Sequence, residues 1–226
     1  MVDILYEATK KCGVCDGAVK VTKVRSRLSL IKQDSDFCTY YKEVNPNYYA
    51  VFVCPNCGYA AQDTYFEDAP LGIQDIKKFL DSRTVNVNYS GNRTLEQALS
   101  TYKLAIFFAE MISALPSRLG GLYLKLAWLF RENEQDNEEL MALEKAQQCY
   151  EQAFLREKMP IGGMSQLTVE YLCGELLRRI GRFEEALTYL GKVVANPQAK
   201  LEKRIYDMAR ESWNLARQAQ KEQQTG

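Results

Sequence analysis

Two Cys-x-x-Cys pairs constrain this chain more than any other feature: Cys12-Gly13-Val14-Cys15 and Cys54-Pro55-Asn56-Cys57, separated by residues 16–53. Two residues between cysteines let both thiolates of a pair turn onto one ion, and two such pairs complete a tetrahedral shell of four sulfurs. The intervening chain must then leave and return to one point, which suits a small β unit with a knuckle at each pair. Gly17 and Gly58, just after the pairs, fit knuckle turns in which backbone N–H groups point at sulfur and glycine permits a positive φ. Four thiolates close every coordination position, so the ion expected is one structural Zn2+ with no water left to activate. Iron in a similar four-sulfur site, a redox dithiol and unligated buried thiols are the other readings of these residues.

The chain has no histidine, which excludes Ser-His-Asp and Cys-His catalysis and His-ligated catalytic zinc. Its cysteines number seven, an odd total that argues against full disulfide pairing. Met1-Val2-Asp3-Ile4 lacks a basic start followed by an apolar run, and no apolar segment reaches the roughly 18 residues of a membrane span. These features predict a cytoplasmic chain without a membrane partner, in which paired cysteines bind metal. Lys plus Arg equal Asp plus Glu at 29 each, so the total charge favours no polyanionic partner.

Along the chain, the rough alternation of Val19, Val21, Val24, Leu28, Leu30 and Ile31 with Lys and Arg predicts short half-buried strands between 19 and 32. Tyr48 to Val53 is β-branched and aromatic and predicts a strand delivering Cys54 to a knuckle, while Asp34 to Asn47 reads as a polar loop. After Pro70 the period changes. Ile73, Ile76 and Leu80 mark one face of a short helix, Ser82 to Thr94 is a polar connector, and helices are expected at 94–114, 117–133, 137–158, 165–180, 183–195 and 199–220. The fold class is therefore α+β: a zinc-ribbon-like β domain at 1–70, a short helix and connector at 71–93, and an all-α array at 94–226.

Within the helices a submotif recurs as Ala98/Tyr102/Ala105, Ala146/Tyr150/Ala153 and Ala186/Leu190/Val193, with a second at Leu126-Ala127/Phe130 and Cys173-Gly174/Leu177. The stretch from Cys173 to Pro197 resembles the tetratricopeptide repeat, where small residues let paired helices approach. Residues at the places that line the concave face in such repeats are Trp128, Arg131, Tyr171, Glu175, Arg178 and Arg179. Arg131 and Arg178 stand one repeat apart and could clamp a carboxylate or an acidic peptide, against the alternative of a solvated face with i,i+4 charge pairs. Cys38, Cys149 and Cys173 are read as packing residues.

Asp34 and Asp36 could serve a carboxylate-based enzyme, with Asn45 and Tyr48 as neighbours, or simply cap a turn before Phe37. Lys20, Lys23, Arg25, Arg27 and Lys32 could track a phosphate backbone, making the basic 20–32 stretch a zinc-ribbon nucleic-acid surface, or could be an ordinary solvated strand face.

As a whole the chain resembles a bacterial family known as domain of unknown function 2225. The resemblance is carried by Cys12/Cys15, the segment from Val24-Arg25-Ser26 through Asp34-Ser35-Asp36-Phe37-Cys38, Asn45-Pro46, and Cys54-Pro55-Asn56-Cys57-Gly58-Tyr59-Ala60-Ala61. It implies a bacterial protein with a zinc-binding N-terminal part and a helical C-terminal part, and implies no activity. The leading reading is a non-enzymatic adaptor that offers a helical groove to a protein or peptide.

Overall fold

Hairpins form the first third because alternating apolar residues there are punctuated by turn-forming clusters. The computed structural model describes residues 4–83, 85 and 87–225; Met1, Val2, Asp3, Gly226 and, within the connector, Thr84 and Asn86 lie outside it. The strands are β1 (Leu5–Lys11), β2 (Ala18–Val24), β3 (Leu30–Gln33), β4 (Thr39–Tyr41), β5 (Val51–Val53) and β6 (Ala60–Gln62). They pair as three two-stranded sheets, β1-β2, β3-β4 and β5-β6. Helices follow: α1 (Ile73–Leu80), α2 (Leu95–Met111), α3 (Pro116–Glu132), α4 (Asp136–Arg156), α5 (Gln166–Arg179), α6 (Phe183–Ala195) and α7 (Lys203–Thr225). The class is α+β. No helix among the described residues is long and apolar enough to cross a membrane.

Two compact units interleave along the chain. The first comprises Met1–Lys32, Thr39–Ala114 and Trp128–Gln135. Its β1 and β2 pair from Leu5↔Val24 to Lys11↔Ala18, which buries Val19 and Val21. An aromatic cluster fills the core: Phe66 lies edge-on to Phe52 at 5.7 Å, and Tyr59 lies edge-on to Phe108 at 5.4 Å. Full burial of rings such as Phe52 and Phe66 contributes on the order of 1.5–3 kcal/mol each. Phe79 of α1 meets Phe107 of α2 at 4.9 Å, and α2 starts in a capping box in which Thr94 and Gln97 bond each other's backbone.

The second unit comprises Gln33–Cys38, Leu115–Ala127 and Asp136–Gly226. Its core gathers Leu167, Tyr171, Leu177, Ala186, Leu190, Val193, Ala199, Ala209 and Ala216. The recurring positions Ala146, Tyr150, Ala153, Ala186, Leu190 and Val193 are all buried, as are Ala98, Tyr102 and Ala105 in the first unit. Gly174 lets α5 close onto α6: a Cβ there would lie 2.8 Å from Leu190 Cγ.

Two expectations needed correction, and one strand carried no expectation. Pro46–Tyr49 is a short 3-10 helix capped by the Asn45 side chain, so the strand before Cys54 is only Val51–Val53. Proline at its start fixes a helical φ and outweighs the β preference of Tyr48 and Tyr49. β3 is not half-buried, because Leu30 and Ile31 are 63% and 64% exposed. β1, whose weak alternation gave little signal, forms because β2 supplies its whole register.

Candidate metal centre

Both cysteine pairs lie at the tips of hairpins. The register that ends at Lys11↔Ala18 leaves Cys12 to Gly17 as one loop, and Val53↔Ala60 leaves Cys54 to Tyr59 as the other. The same two bonds close each loop. Cys12 N–H donates to Gly17 O at 3.0 Å and Asp16 N–H to Cys12 O at 3.0 Å; Cys54 N–H donates to Tyr59 O at 2.8 Å and Gly58 N–H to Cys54 O at 2.8 Å. The left-handed residues are Asp16 (φ 60°) and Gly58 (φ 83°). Gly17 was expected to take the positive φ of the first knuckle; Asp16 takes it instead, as a short polar side chain that tolerates this region. Gly17 serves close approach, since a Cβ there would lie 2.5 Å from Asn56 Nδ2 and 3.4 Å from Cys15 Sγ.

These loops bring the sulfurs of Cys12, Cys15, Cys54 and Cys57 within 4.8 Å of one another. Cys12 Sγ lies 3.8 Å from Cys57 Sγ, and Cys15 Sγ lies 3.6 Å from Cys54 Sγ. Sulfurs held about 2.3 Å from one central ion sit at tetrahedral corners about 3.8 Å apart, so this donor set fits a four-thiolate metal site. The thiols of this cluster also perturb one another. Hydrogen bonds from Cys12 and Cys57 hold the Cys54 thiol down to about 2, while the bond to Cys54 pushes Cys12 up to about 12 and bonds to Cys12 and Cys54 push Cys57 up. Cys12 and Cys54 are buried and Cys15 is exposed.

In the second unit, α5 grips the turn of residues 33–38. Tyr171 OH donates to Ser35 O at 2.6 Å, Ser35 Oγ donates to Glu175 Oε1 at 2.6 Å, and Arg179 Nη2 donates to Ser35 Oγ at 3.0 Å. Arg179 also pairs with Asp36 Oδ1 at 3.5 Å, and the rings of Phe37 and Tyr171 meet edge-on at 5.7 Å. Arg178 donates twice to Glu175, at 2.8 and 2.6 Å. Burial pushes the Glu175 carboxyl up, yet the Arg178 bonds and charge, with Ser35 and Arg179, outweigh it and hold the group below the usual carboxylate range. Of the six residues expected on a concave face, Tyr171, Glu175, Arg178 and Arg179 thus form one network, whereas Trp128 and Arg131 belong to the first unit.

A family model described as uncharacterized protein conserved in bacteria (DUF2225) matches residues 5–216. The chain belongs to this family. The DUF2225 match takes in both knuckles, the 33–38 turn and α5, and stops within α7. No curated protein and no solved structure matches the chain.

Other singled-out residues of this DUF2225 chain have local partners. Asp36 is buried and accepts from Cys38 N–H at 3.3 Å besides pairing with Arg179. Asn45 Nδ2 and Tyr48 OH both donate to Glu132, each at 2.7 Å. In the basic stretch, Lys23 lies 3.7 Å from Asp63, Arg25 stacks over Tyr6 and Lys32 over Tyr40, while Lys20 is exposed. Cys38 and Cys173 are buried, with burial pushing the Cys173 thiol up to about 12, and Cys149 is half-buried. Sequence reasoning missed Arg93. It is buried in the first unit, donating to the Tyr89, Tyr48 and Val51 carbonyls, and burial pushes it down to about 10. A lone arginine in a polar connector carries no periodic signal of burial.

Proposed function

We propose that this DUF2225 protein is a non-enzymatic interaction module, in which Cys12, Cys15, Cys54 and Cys57 hold one structural Zn2+ and a tetratricopeptide-like helical array takes a protein or peptide partner. The sulfur spacing carries the first half: 3.8 and 3.6 Å between sulfurs of different hairpins suits a closed tetrahedral shell. In such a shell the ion's chemistry is to neutralise four thiolates and lock two loops together. Zinc is preferred over iron because it needs no redox role here, and metal analysis separates them directly.

The partner half is supported by what α5 already does. Tyr171, Glu175 and Arg179 recognise backbone, hydroxyl and carboxylate groups of a turn, which is the chemistry of peptide capture. An interaction role without catalysis accords with the lack of histidine and with Asp36 being committed to Arg179. A cytoplasmic setting belongs to the same proposal, because thiolate ligands stay reduced there.

The test is metal content together with partner capture. Purified protein is expected to carry one zinc per chain, colourless, with Cys54→Ser losing it; a coloured iron protein or metal-free folded protein overturns the zinc reading. Affinity capture with wild type and with Glu175→Gln is expected to differ in a specific protein partner; identical sets of captured proteins overturn the helical-face reading.

A further inference from the structure

The α5 face reads three chemically different groups in succession. Position one is a hydroxyl: Ser35 Oγ donates to Glu175 and accepts from Arg179. Position two is a carboxylate, Asp36, paired with Arg179, and position three is an aromatic ring, Phe37, against Tyr171. Tyr171 OH on the Ser35 carbonyl fixes the register. Arg178 orients Glu175 through two donors.

The present occupant is not ideal for this face. The turn is closed by Phe37 N–H to Asp34 O at 3.0 Å and Asp34 N–H to Cys38 O at 2.8 Å, and this closure puts Phe37 at φ 69°. A bulky side chain in the left-handed region is strained, a state that persists only where surrounding contacts hold it. One flank is open: a cleft of about 820 Å³ runs beside Gln33, Asp34 and Ser35, walled by Arg204, Met208 and Ser212 of α7.

Building on the interaction reading above, we propose that the α5 face is a recognition site for a turn bearing hydroxyl, carboxylate and aromatic side chains in that order. Residues 34–38 occupy it in cis, and a partner protein presenting the same three groups displaces them. A tethered occupant acts at an effective concentration on the order of millimolar, so the cis turn shields the face from weak competitors. Glu175 adds discrimination: its buried carboxylate accepts a hydroxyl hydrogen that a methyl group at position one would not supply.

The test uses the full chain and a cyclic peptide spanning residues 30–41 with Cys38→Ala. In a tip-emptied variant, Ser35→Gly/Asp36→Gly/Phe37→Gly, with helicity and zinc content unchanged, the peptide is expected to bind at least 100-fold more tightly than to wild type. Adding Glu175→Gln to that variant, or alanine in place of the peptide's first-position serine, is expected to weaken binding at least tenfold. A folded tip-emptied variant that ignores the peptide at millimolar concentration overturns the proposal, as does binding that is indifferent to Glu175→Gln. A wild-type dimer abolished by emptying the tip overturns it too, because the occupant would then be a second copy. If the tip-emptied variant rejects the peptide yet still holds another purified partner, the motif fails while the broader interaction reading survives.

Discussion

Cys15 Sγ and Cys54 Sγ lie 3.6 Å apart although one belongs to the β1-β2 hairpin and the other to the β5-β6 hairpin. An isolated two-stranded hairpin is marginal in water, and each sheet here has only two strands. A shared ion held by the four cysteines would supply what neither hairpin has alone.

Metal removal is the direct check. Chelation is expected to unfold the first unit's knuckles, with an apparent loss on the order of 10–16 kcal/mol of metal-coupled folding energy, while α4 to α7 stay helical. Near-ultraviolet circular dichroism reporting Tyr59 and its ring neighbours should collapse, and far-ultraviolet helix signal should largely persist. Retention of both signals after complete zinc removal would contradict the staple.

Acid should release the ion by mass action on sulfur. Thiolate ligands must lose protons to bind metal, so protons compete as pH falls and affinity drops monotonically. The expected outcome is zinc appearing in a chromogenic indicator on acidification, and reappearing in the protein when neutral pH is restored.

How far these features could be read from residues alone differs between the two sites. Cysteine spacing is a local pattern with a strict geometric meaning, so Cys12, Cys15, Cys54 and Cys57 were legible as a cluster. Helix positions were legible for a similar reason, since Ile73/Ile76/Leu80 and Ala186/Leu190/Val193 repeat at helical spacing and are, except for the partly exposed Ile73 and Leu80, buried. The docking of Ser35 onto Glu175 was not, because the two are 140 positions apart and neither Asp-Ser-Asp-Phe nor a helical Glu-x-x-Arg-Arg announces its counterpart. The knuckle's left-handed residue was misplaced by one position, since Asp16 and Gly17 both tolerate turns and only the backbone bonds distinguish them.

Glu175 should make stability depend on pH in the second unit. Its carboxyl is held below its ordinary value of about 4.3, so its contribution is fully present above that pH and is lost as pH falls through the lower folded value. Glu175→Gln leaves Arg178 without its carboxylate in a partly buried place and Arg179 with Asp36 alone, at an expected cost on the order of 3 kcal/mol near neutral pH, and removes this part of the acid dependence. With Trp128→Phe, fluorescence of Trp213 isolates the second unit, and urea midpoints across pH 3 to 6 should converge for Glu175 and Gln at the acid end. Parallel curves would assign the carboxylate no such role.

Gly174 sets the distance between α5 and α6. A Cβ at this position would meet Leu190 Cγ at 2.8 Å, Leu190 Cδ2 at 3.0 Å and Tyr189 Cβ at 3.0 Å. Alanine in a helix interior gains about 1 kcal/mol over glycine from propensity, whereas overpacking a close contact costs roughly 1–3 kcal/mol. Crowding wins here because the neighbours are a branch point and a Cβ, which cannot swing aside as a side-chain tip can. Gly174→Ala is therefore expected to destabilise the second unit by about 1–2 kcal/mol in urea unfolding. Leu190→Ala alone should cost roughly 2–5 kcal/mol through its cavity. The double variant should lose less than the sum, because the new methyl partly fills the space that Leu190 leaves. Strict additivity in that cycle would mean the helices separate freely and that Gly174 is not what holds them close.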